Sequence, residues 1–127
     1  MICMQNEFLG LRTVIYKVPD IGKAKTWYSG AFDTGPYFDM PFYVGFIIAG
    51  YELGLQPGDE NEQSKTGNIE MYWGVKDVEA SYNKLISLGA SPNNAPQNVG
   101  EDIIVATVKD PWNNIIGLID NPHFKLG

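Results

Sequence analysis

The sequence predicts an α+β protein built from two βαβββ modules, and three observations lead to that prediction. The stretch 11–32, LRTVIYKVPDIGKAKTWYSGAF, has the pattern of a strand, a turn and an amphipathic helix. The stretch 68–89, NIEMYWGVKDVEASYNKLISLG, repeats that pattern, and each unit is followed by short apolar segments. The polar stretch 57–67 has no apolar periodicity and separates the two units. We therefore predict a single domain over 1–127, made of module 10–56 and module 68–120 joined by linker 57–67.

The first module begins with a strand over 11–18, in which Val14, Tyr16 and Val18 share one face. Asp20 is a good N-cap, and the apolar residues after it recur at helical spacing until Gly35-Pro36 breaks the pattern. Three strand-like segments follow, at 37–40, 42–49 and 51–56.

The second module begins with a strand over 69–75, in which apolar residues alternate with Glu70, Tyr72 and Gly74. Asp77 is the predicted N-cap of a helix that ends at Gly89. The remaining predicted elements are a short strand around 97–99, a strand over 102–108, a turn at 110–114 and a last strand over 115–119.

A module of this size buries too little apolar surface to be stable alone, so the two must pair. Fewer than twenty residues separate them in the sequence. Pairing within one chain and exchange between two chains both stay open, and a homodimer is predicted.

The composition excludes some partners. The net charge is −6 without a basic stripe, which argues against nucleic acid, because counterion release requires clustered Lys and Arg. There is no run of eighteen apolar residues, and the start MICMQNEF lacks the features of a secretory signal, so no membrane partner is predicted. The single cysteine, Cys3, excludes an internal disulfide and fits a reducing cytoplasm.

Several short motifs occur in a fixed order: VPD at 18–20, WY at 27–28, VKD at 75–77 and DPWNNIIGLID at 110–120. Together they resemble the vicinal oxygen chelate superfamily, which includes glyoxalase I, bleomycin resistance proteins and extradiol dioxygenases. The resemblance spans 11–119. It implies two curved, mixed, four-stranded sheets around a cavity, with the helices packed outside.

Metal-dependent members of that superfamily carry chelating His, Gln or Glu side chains on the cavity face. The resemblance places these positions on Thr13, Glu70, Gly117 and Gly54, with Glu52 as the alternative to Gly54 if the register is shifted. A hydroxyl and two glycines cannot supply the usual ligands, so no metal or other cofactor is predicted.

The predicted ligand is a small, flat or cationic organic molecule held in an aromatic, acidic cavity. Glu70 is the best candidate for a general base or a ligand acceptor, and Gly54 and Gly117 are expected to leave space for the ligand. A tail that folds back could bring His123, the only histidine, to the cavity mouth. The predicted ligand-binding residues are Thr13, Ile15, Tyr43, Glu52, Gly54, Glu70, Tyr72, Trp112, Gly117 and His123.

Three functions compete. The favoured one is a metal-free binding protein of the bleomycin-resistance type. The second is a glyoxalase-like lyase, isomerase or dioxygenase with an atypical metal site formed by Glu52, Glu70 and His123. The third is an interaction module without a small ligand, so the sequence leaves enzymatic activity open.

Overall fold

The computed structural model describes residues 11–58 and 70–123. Each half of the described chain contains one helix and four strands. In the first half these are β1 (Thr13–Val18), α1 (Ile21–Phe32), β2 (Phe38–Met40), β3 (Tyr43–Ile48) and β4 (Tyr51–Pro57). In the second half they are β5 (Tyr72–Gly74), α2 (Val78–Ser87), β6 (Ser91–Asn98), β7 (Ile104–Lys109) and β8 (Ile115–Asp120).

The strands form two mixed four-stranded sheets with the same topology, β1-β4-β3-β2 and β5-β8-β7-β6. In each sheet the first strand pairs in parallel with the last strand of its module, and the other pairs are antiparallel. The predicted α+β class and doubled βαβββ arrangement are therefore confirmed.

Both helices begin where the sequence predicts, because an aspartate caps each of them. The Asp20 carboxylate accepts the backbone N–H of Lys23 at 3.1 Å, and the Asp77 carboxylate accepts that of Ala80 at 3.0 Å. The first helix ends at Phe32, the last residue of the predicted stretch 11–32, since Asp33 adopts a left-handed conformation with φ of 54°. Gly89, with φ of 108°, follows the second helix as predicted.

The core lies between the helices and one face of each sheet. On β1 the alternation is as predicted: Tyr16 and Val18 are buried, whereas Thr13, Ile15 and Lys17 are exposed. The exposed residues belong to the face of the sheet that carries no helix, called here the open face. Each half of the chain has such an open face, and the predicted ligand residues on strands belong to these two faces.

The halves meet at a buried hydrogen-bond network between α1 and the turn that precedes β8. Asp110, which is buried, accepts the hydroxyl proton of Tyr28 at 2.6 Å. The same carboxylate accepts the backbone N–H groups of Trp112 and Asn114, each at 2.8 Å, and the Asn114 side-chain amide at 3.0 Å. Asn114 also donates to the backbone carbonyl of Lys17, at 3.0 Å. A buried carboxylate is thereby supplied with donors from both modules.

Aromatic side chains complete the junction. The indole N–H of Trp27 donates to the carbonyl of Leu88 at 2.7 Å, and the ring of Phe32 packs edge-on against Trp73 at 5.1 Å. Neither the hydroxyl of Tyr16 nor the indole N–H of Trp73, both buried, has a hydrogen-bond partner among the described residues.

Two strand predictions need correction. The strand expected around 97–99 is longer and earlier, since β6 covers Ser91–Asn98 and pairs with β7 through irregular register. Cross-strand pairing with β7 overrides the unfavourable Pro and Asn content of β6. β5 is shorter than predicted.

Of the predicted linker 57–67, residues 59–67 lie outside the described part of the chain, as does Cys3. Neither helix of the described residues is long and apolar enough to span a membrane.

Candidate ligand-binding site

The open face of the first sheet centres on Glu52, a half-buried residue of β4. Tyr37 donates its hydroxyl proton to one carboxylate oxygen of Glu52 at 3.0 Å. Tyr43 donates to the other oxygen. Both oxygens of Glu52 are therefore held by phenols from neighbouring segments of the same sheet.

Two glycines allow the tyrosines to lie there. Gly45 of β3 pairs with Gly54 of β4, so two residues without side chains lie side by side on the open face. A Cβ added to Gly54 would lie 2.6 Å from Tyr43 Cζ, and one added to Gly45 would lie 2.9 Å from Tyr37 Cε1. The space expected at Gly54 is thus filled by the Tyr43 ring, which corrects that prediction.

The second module has the same arrangement in simpler form. Tyr72 donates its hydroxyl proton to Glu70 at 2.9 Å. Gly117 pairs with Tyr72, and a Cβ on Gly117 would lie 2.6 Å from the Tyr72 ring and 2.5 Å from the carbonyl oxygen of Met71. The space expected at Gly117 is therefore also filled, because a tyrosine covers the glycine and donates to a glutamate.

These hydrogen bonds hold the phenols in their protonated form. Burial raises the pKa of Tyr43 to about 12, and the hydrogen bond to Glu52 acts in the same direction. The pKa values of Tyr37 and Tyr72 are also raised, chiefly by their hydrogen bonds to Glu52 and Glu70 respectively. Near neutral pH these tyrosines can donate or stack but cannot act as bases.

An exposed aromatic surface extends to one side of Glu52, from Tyr37 and Tyr43 onward. Phe38 lies opposite Gly45 and Met40 opposite Tyr43, which places both on the open face. The ring of Phe38 lies 6.1 Å from those of Phe42 and Tyr43. We call Tyr37, Phe38, Met40, Phe42 and Tyr43 the aromatic face.

The aromatic face continues into aliphatic residues. Tyr37 and Phe42 are 59% and 62% exposed, and Ile15 and Ile47 on the same open face are 43% and 48% exposed. Adjoining apolar side chains left uncovered in this way are typical of a binding surface.

Several solved structures resemble this architecture. A glyoxalase-related enzyme from Fulvimarina pelagi matches with a TM-score of 0.75 at 16% identity, covering 94% of each chain. A fosfomycin resistance protein, FosX, from Listeria monocytogenes matches with a TM-score of 0.75 at 18% identity, covering 91% of this chain and 94% of that one. A glyoxalase/bleomycin resistance protein/dioxygenase family enzyme from Burkholderia phytofirmans PsJN matches with a TM-score of 0.72 at 16% identity, covering 85% and 95%. The chain has the glyoxalase/bleomycin-resistance fold. No protein-family model matches the sequence, and no curated protein matches it.

The match confirms the predicted resemblance at the level of fold, and the strand register relates the positions at which the resemblance placed chelating side chains. Gly54 pairs with Ile15, two residues after Thr13, and Gly117 pairs with Tyr72, two residues after Glu70. Gly54 and Gly117 are therefore equivalent positions of this glyoxalase/bleomycin-resistance fold. Glu52 pairs directly with Thr13.

The residues at these positions do not fit the metal centre of the superfamily. Thr13 offers one hydroxyl, both glycine positions are covered by tyrosine rings, and Glu70 is the single carboxylate of the set. Across residues 11–58 and 70–123, no group of three or more His, Cys, Asp or Glu side chains could hold a metal ion.

Two predicted site residues lie elsewhere in the structure. Trp112 packs edge-on against Trp27 at 6.1 Å and joins the hydrophobic core, so its assignment to the cavity is wrong. The imidazole of His123 lies with Nε2 2.9 Å from the carbonyl oxygen of Glu101, in the turn between β6 and β7. The structure does not gather Glu52, Glu70 and His123 around one point.

A pocket of about 400 Å³, which the sequence did not indicate, opens at the end of β5. Its lining includes Tyr72, Gly74 and Ile119 on the open face of the second sheet. No atom lies within 4 Å of a Cβ built on Gly74, so the room expected beside Gly117 is found next to Gly74. The signal in the sequence was a glycine inside a strand, which often marks close approach by a ligand or another chain.

Proposed function

We propose that the protein is a metal-independent binding protein of the bleomycin-resistance type, with a flat, cationic organic molecule as its ligand. The single observation that carries the proposal is the exposed aromatic face whose Tyr37 and Tyr43 donate to the half-buried carboxylate of Glu52. Cations are attracted both by aromatic ring faces and by a carboxylate, and the net charge of −6 favours their approach. No cofactor takes part in this proposal.

The tyrosines give Glu52 a defined geometry for that role. Each carboxylate oxygen accepts one phenol proton, and each retains a further lone-pair direction for a ligand donor. Because Tyr37 and Tyr43 hold the carboxylate, a ligand cation would bind without first ordering the side chain. Glu70, held by Tyr72 alone and exposed, is a weaker acceptor of the same kind.

We also propose a cytoplasmic homodimer. The aliphatic part of the open face leaves Ile15 and Ile47 uncovered, and a second copy would bury these two residues while the aromatic face stays accessible to the ligand. The lone cysteine, Cys3, agrees with a reducing compartment.

The competing functions have less support. The metal-dependent lyase, isomerase or dioxygenase requires Glu52, Glu70 and His123 to converge, and no observation favours that arrangement. An interaction module without a ligand would have a filled centre, whereas a pocket opens beside Gly74.

Titration with ethidium, a flat aromatic cation, tests the proposal by isothermal calorimetry. We expect saturable binding that weakens at least about tenfold in Glu52→Gln, since the carboxylate charge is lost while the side-chain shape is kept. Glu79→Gln, an exposed carboxylate on α2, is the matched control and should bind as the parent does. The anionic dye 8-anilinonaphthalene-1-sulfonate should bind more weakly than ethidium. Equal binding of the two dyes, or no effect of Glu52→Gln, would overturn the proposal.

A further inference from the structure

The pocket beside Gly74 is separate from the aromatic face and has a different chemistry. It opens at the carboxyl ends of two parallel strands, where Gly74 of β5 pairs with Ile119 of β8. Its volume of about 400 Å³ lies within the usual range for small-molecule sites. None of the residues that line it belongs to the aromatic face or touches Glu52 through a hydrogen bond. A ligand here would therefore be bound independently of the function proposed above.

Opposite charges line this pocket without pairing. Lys76 and Asp120 both contribute to the lining. Within the part of the chain that the structure describes, neither side chain forms an ion pair or a hydrogen bond, with the other or with a third residue. A cation and a carboxylate that share a pocket and leave each other unpaired can each receive a ligand group of opposite sign.

The remaining lining adds a hydrogen-bond donor and an apolar wall. The side-chain oxygen of Asn121 accepts the backbone N–H of His123 at 2.9 Å, which turns the amide NH₂ group away from that contact. Tyr72 and Ile119 supply apolar surface on the open face. His123 thus has a role that the sequence did not indicate, since its backbone orients Asn121.

We propose that this pocket binds a small zwitterion of the α-amino-acid type with an apolar side chain. The ligand carboxylate binds Lys76 and the amide NH₂ of Asn121, and the ligand ammonium binds Asp120. The apolar side chain lies against Tyr72 and Ile119, in the space left open by Gly74. A ligand with only one of the two charges leaves either Lys76 or Asp120 without a partner, which is the basis of selectivity.

The test compares L-phenylalanine with N-acetyl-L-phenylalanine, which lacks the cation, and L-phenylalaninamide, which lacks the carboxylate. Chemical shifts of the Val75 and Asn121 backbone amides report binding at this site. We expect saturable shifts with L-phenylalanine and an affinity at least about tenfold higher than for either analogue. L-leucine should also bind. Absence of saturable shifts with both amino acids, or equal affinities for the three phenylalanine compounds, would overturn the proposal.

Substitutions test which residues bind the two charged groups of the ligand and where its side chain lies. Lys76→Met should abolish the preference for L-phenylalanine over the amide, and Asp120→Asn should abolish the preference over the N-acetyl compound. Gly74→Leu should fill the pocket and eliminate the shifts without loss of stability, because an added Cβ meets no atom within 4 Å. Gly30→Leu, at a glycine of α1 that is equally free of neighbours, is the control and should bind normally. Retained binding in Gly74→Leu contradicts the location, whatever the outcome of the ethidium titration.

Discussion

Tyr43 lies across Gly54, with its hydroxyl on Glu52, so the ring occupies the place where metal-dependent relatives are expected to carry a chelating side chain. Tyr72 covers Gly117 in the second module and donates to Glu70. A tyrosine thus covers a glycine in each module; the glycines are at equivalent positions, whereas the tyrosines belong to β3 in the first module and to β5 in the second. Two positions that the resemblance assigns to chelating side chains are covered by phenol rings, and each phenol donates to a carboxylate.

Gly54→Ala should lower the free energy of unfolding by about 1–3 kcal/mol, because the new methyl group overlaps the Tyr43 ring. In a Tyr43→Ala background the same change should cost much less, since the overlapping atoms are gone. Urea denaturation of the four proteins in this cycle measures the difference. If Gly54→Ala lowered the free energy of unfolding equally in the two backgrounds, the close contact between residue 54 and the Tyr43 ring would be contradicted.

Gly117→Ala should be more harmful than Gly54→Ala. An added methyl at 117 meets the backbone carbonyl of Met71 at 2.5 Å as well as the Tyr72 ring, and backbone cannot turn aside as a side chain can. Removal of Tyr72 should therefore rescue Gly117→Ala only in part. Circular dichroism and urea denaturation compare the two series, and full rescue by Tyr72→Ala would be inconsistent with the backbone overlap.

The sequence was sufficient for the architecture because its signals are local. Asp20 and Asp77 are N-cap residues that predict where the two helices begin, and the alternation of apolar residues in 11–18 predicts the buried face of β1. The positions of Gly54 and Gly117 also followed from local motifs. The tyrosine rings that cover these glycines could not be predicted in the same way, because the direction of the Tyr43 ring depends on pairing between strands. Trp112 was misplaced for the same reason, since its partner Trp27 lies far away in the sequence.

Tyr28→Phe should destabilise the protein and Tyr16→Phe should not, although both hydroxyls are buried. Tyr28 donates to the buried carboxylate of Asp110, and its loss leaves that carboxylate one donor short, at a cost of about 1–3 kcal/mol. The Tyr16 hydroxyl has no hydrogen-bond partner among the described residues, so its removal should be neutral or stabilising by up to about 1 kcal/mol. Urea denaturation at neutral pH distinguishes the two, and an equal loss in both variants would refute this assignment.

Stability should fall at alkaline pH, and Tyr16 provides a defined part of the effect. Burial raises the pKa of Tyr16 to about 12 from the ordinary value of 10.0. The folded state binds this proton more tightly than the unfolded chain does. Its contribution is therefore complete below pH 10.0 and is lost as the pH rises through about 12.

The unfolding free energy should accordingly decrease between these pH values, and less steeply in Tyr16→Phe. Denaturation curves at several alkaline pH values measure the slope.

In a separate titration of tyrosine carbon resonances by NMR, Glu52→Gln should lower the pKa of Tyr43 from about 12, because the nearby negative charge is removed. An unchanged Tyr43 titration would mean that Glu52 has no influence on this phenol in solution.

The open faces should make the protein a dimer in solution. Ile47 is 48% exposed on the open face of the first sheet, close to Glu52 on the paired strand, and a second copy would remove it from water. Light scattering during gel filtration should therefore give twice the chain mass of 14.1 kDa. Ile47→Lys should shift the protein toward the monomer, because it would bury an ammonium group at the contact.

Leu88→Lys replaces an exposed apolar residue at the end of α2, away from either open face, and should remain a dimer. A monomeric parent protein, or dissociation by Leu88→Lys but not by Ile47→Lys, would exclude the open face of the first sheet as the interface.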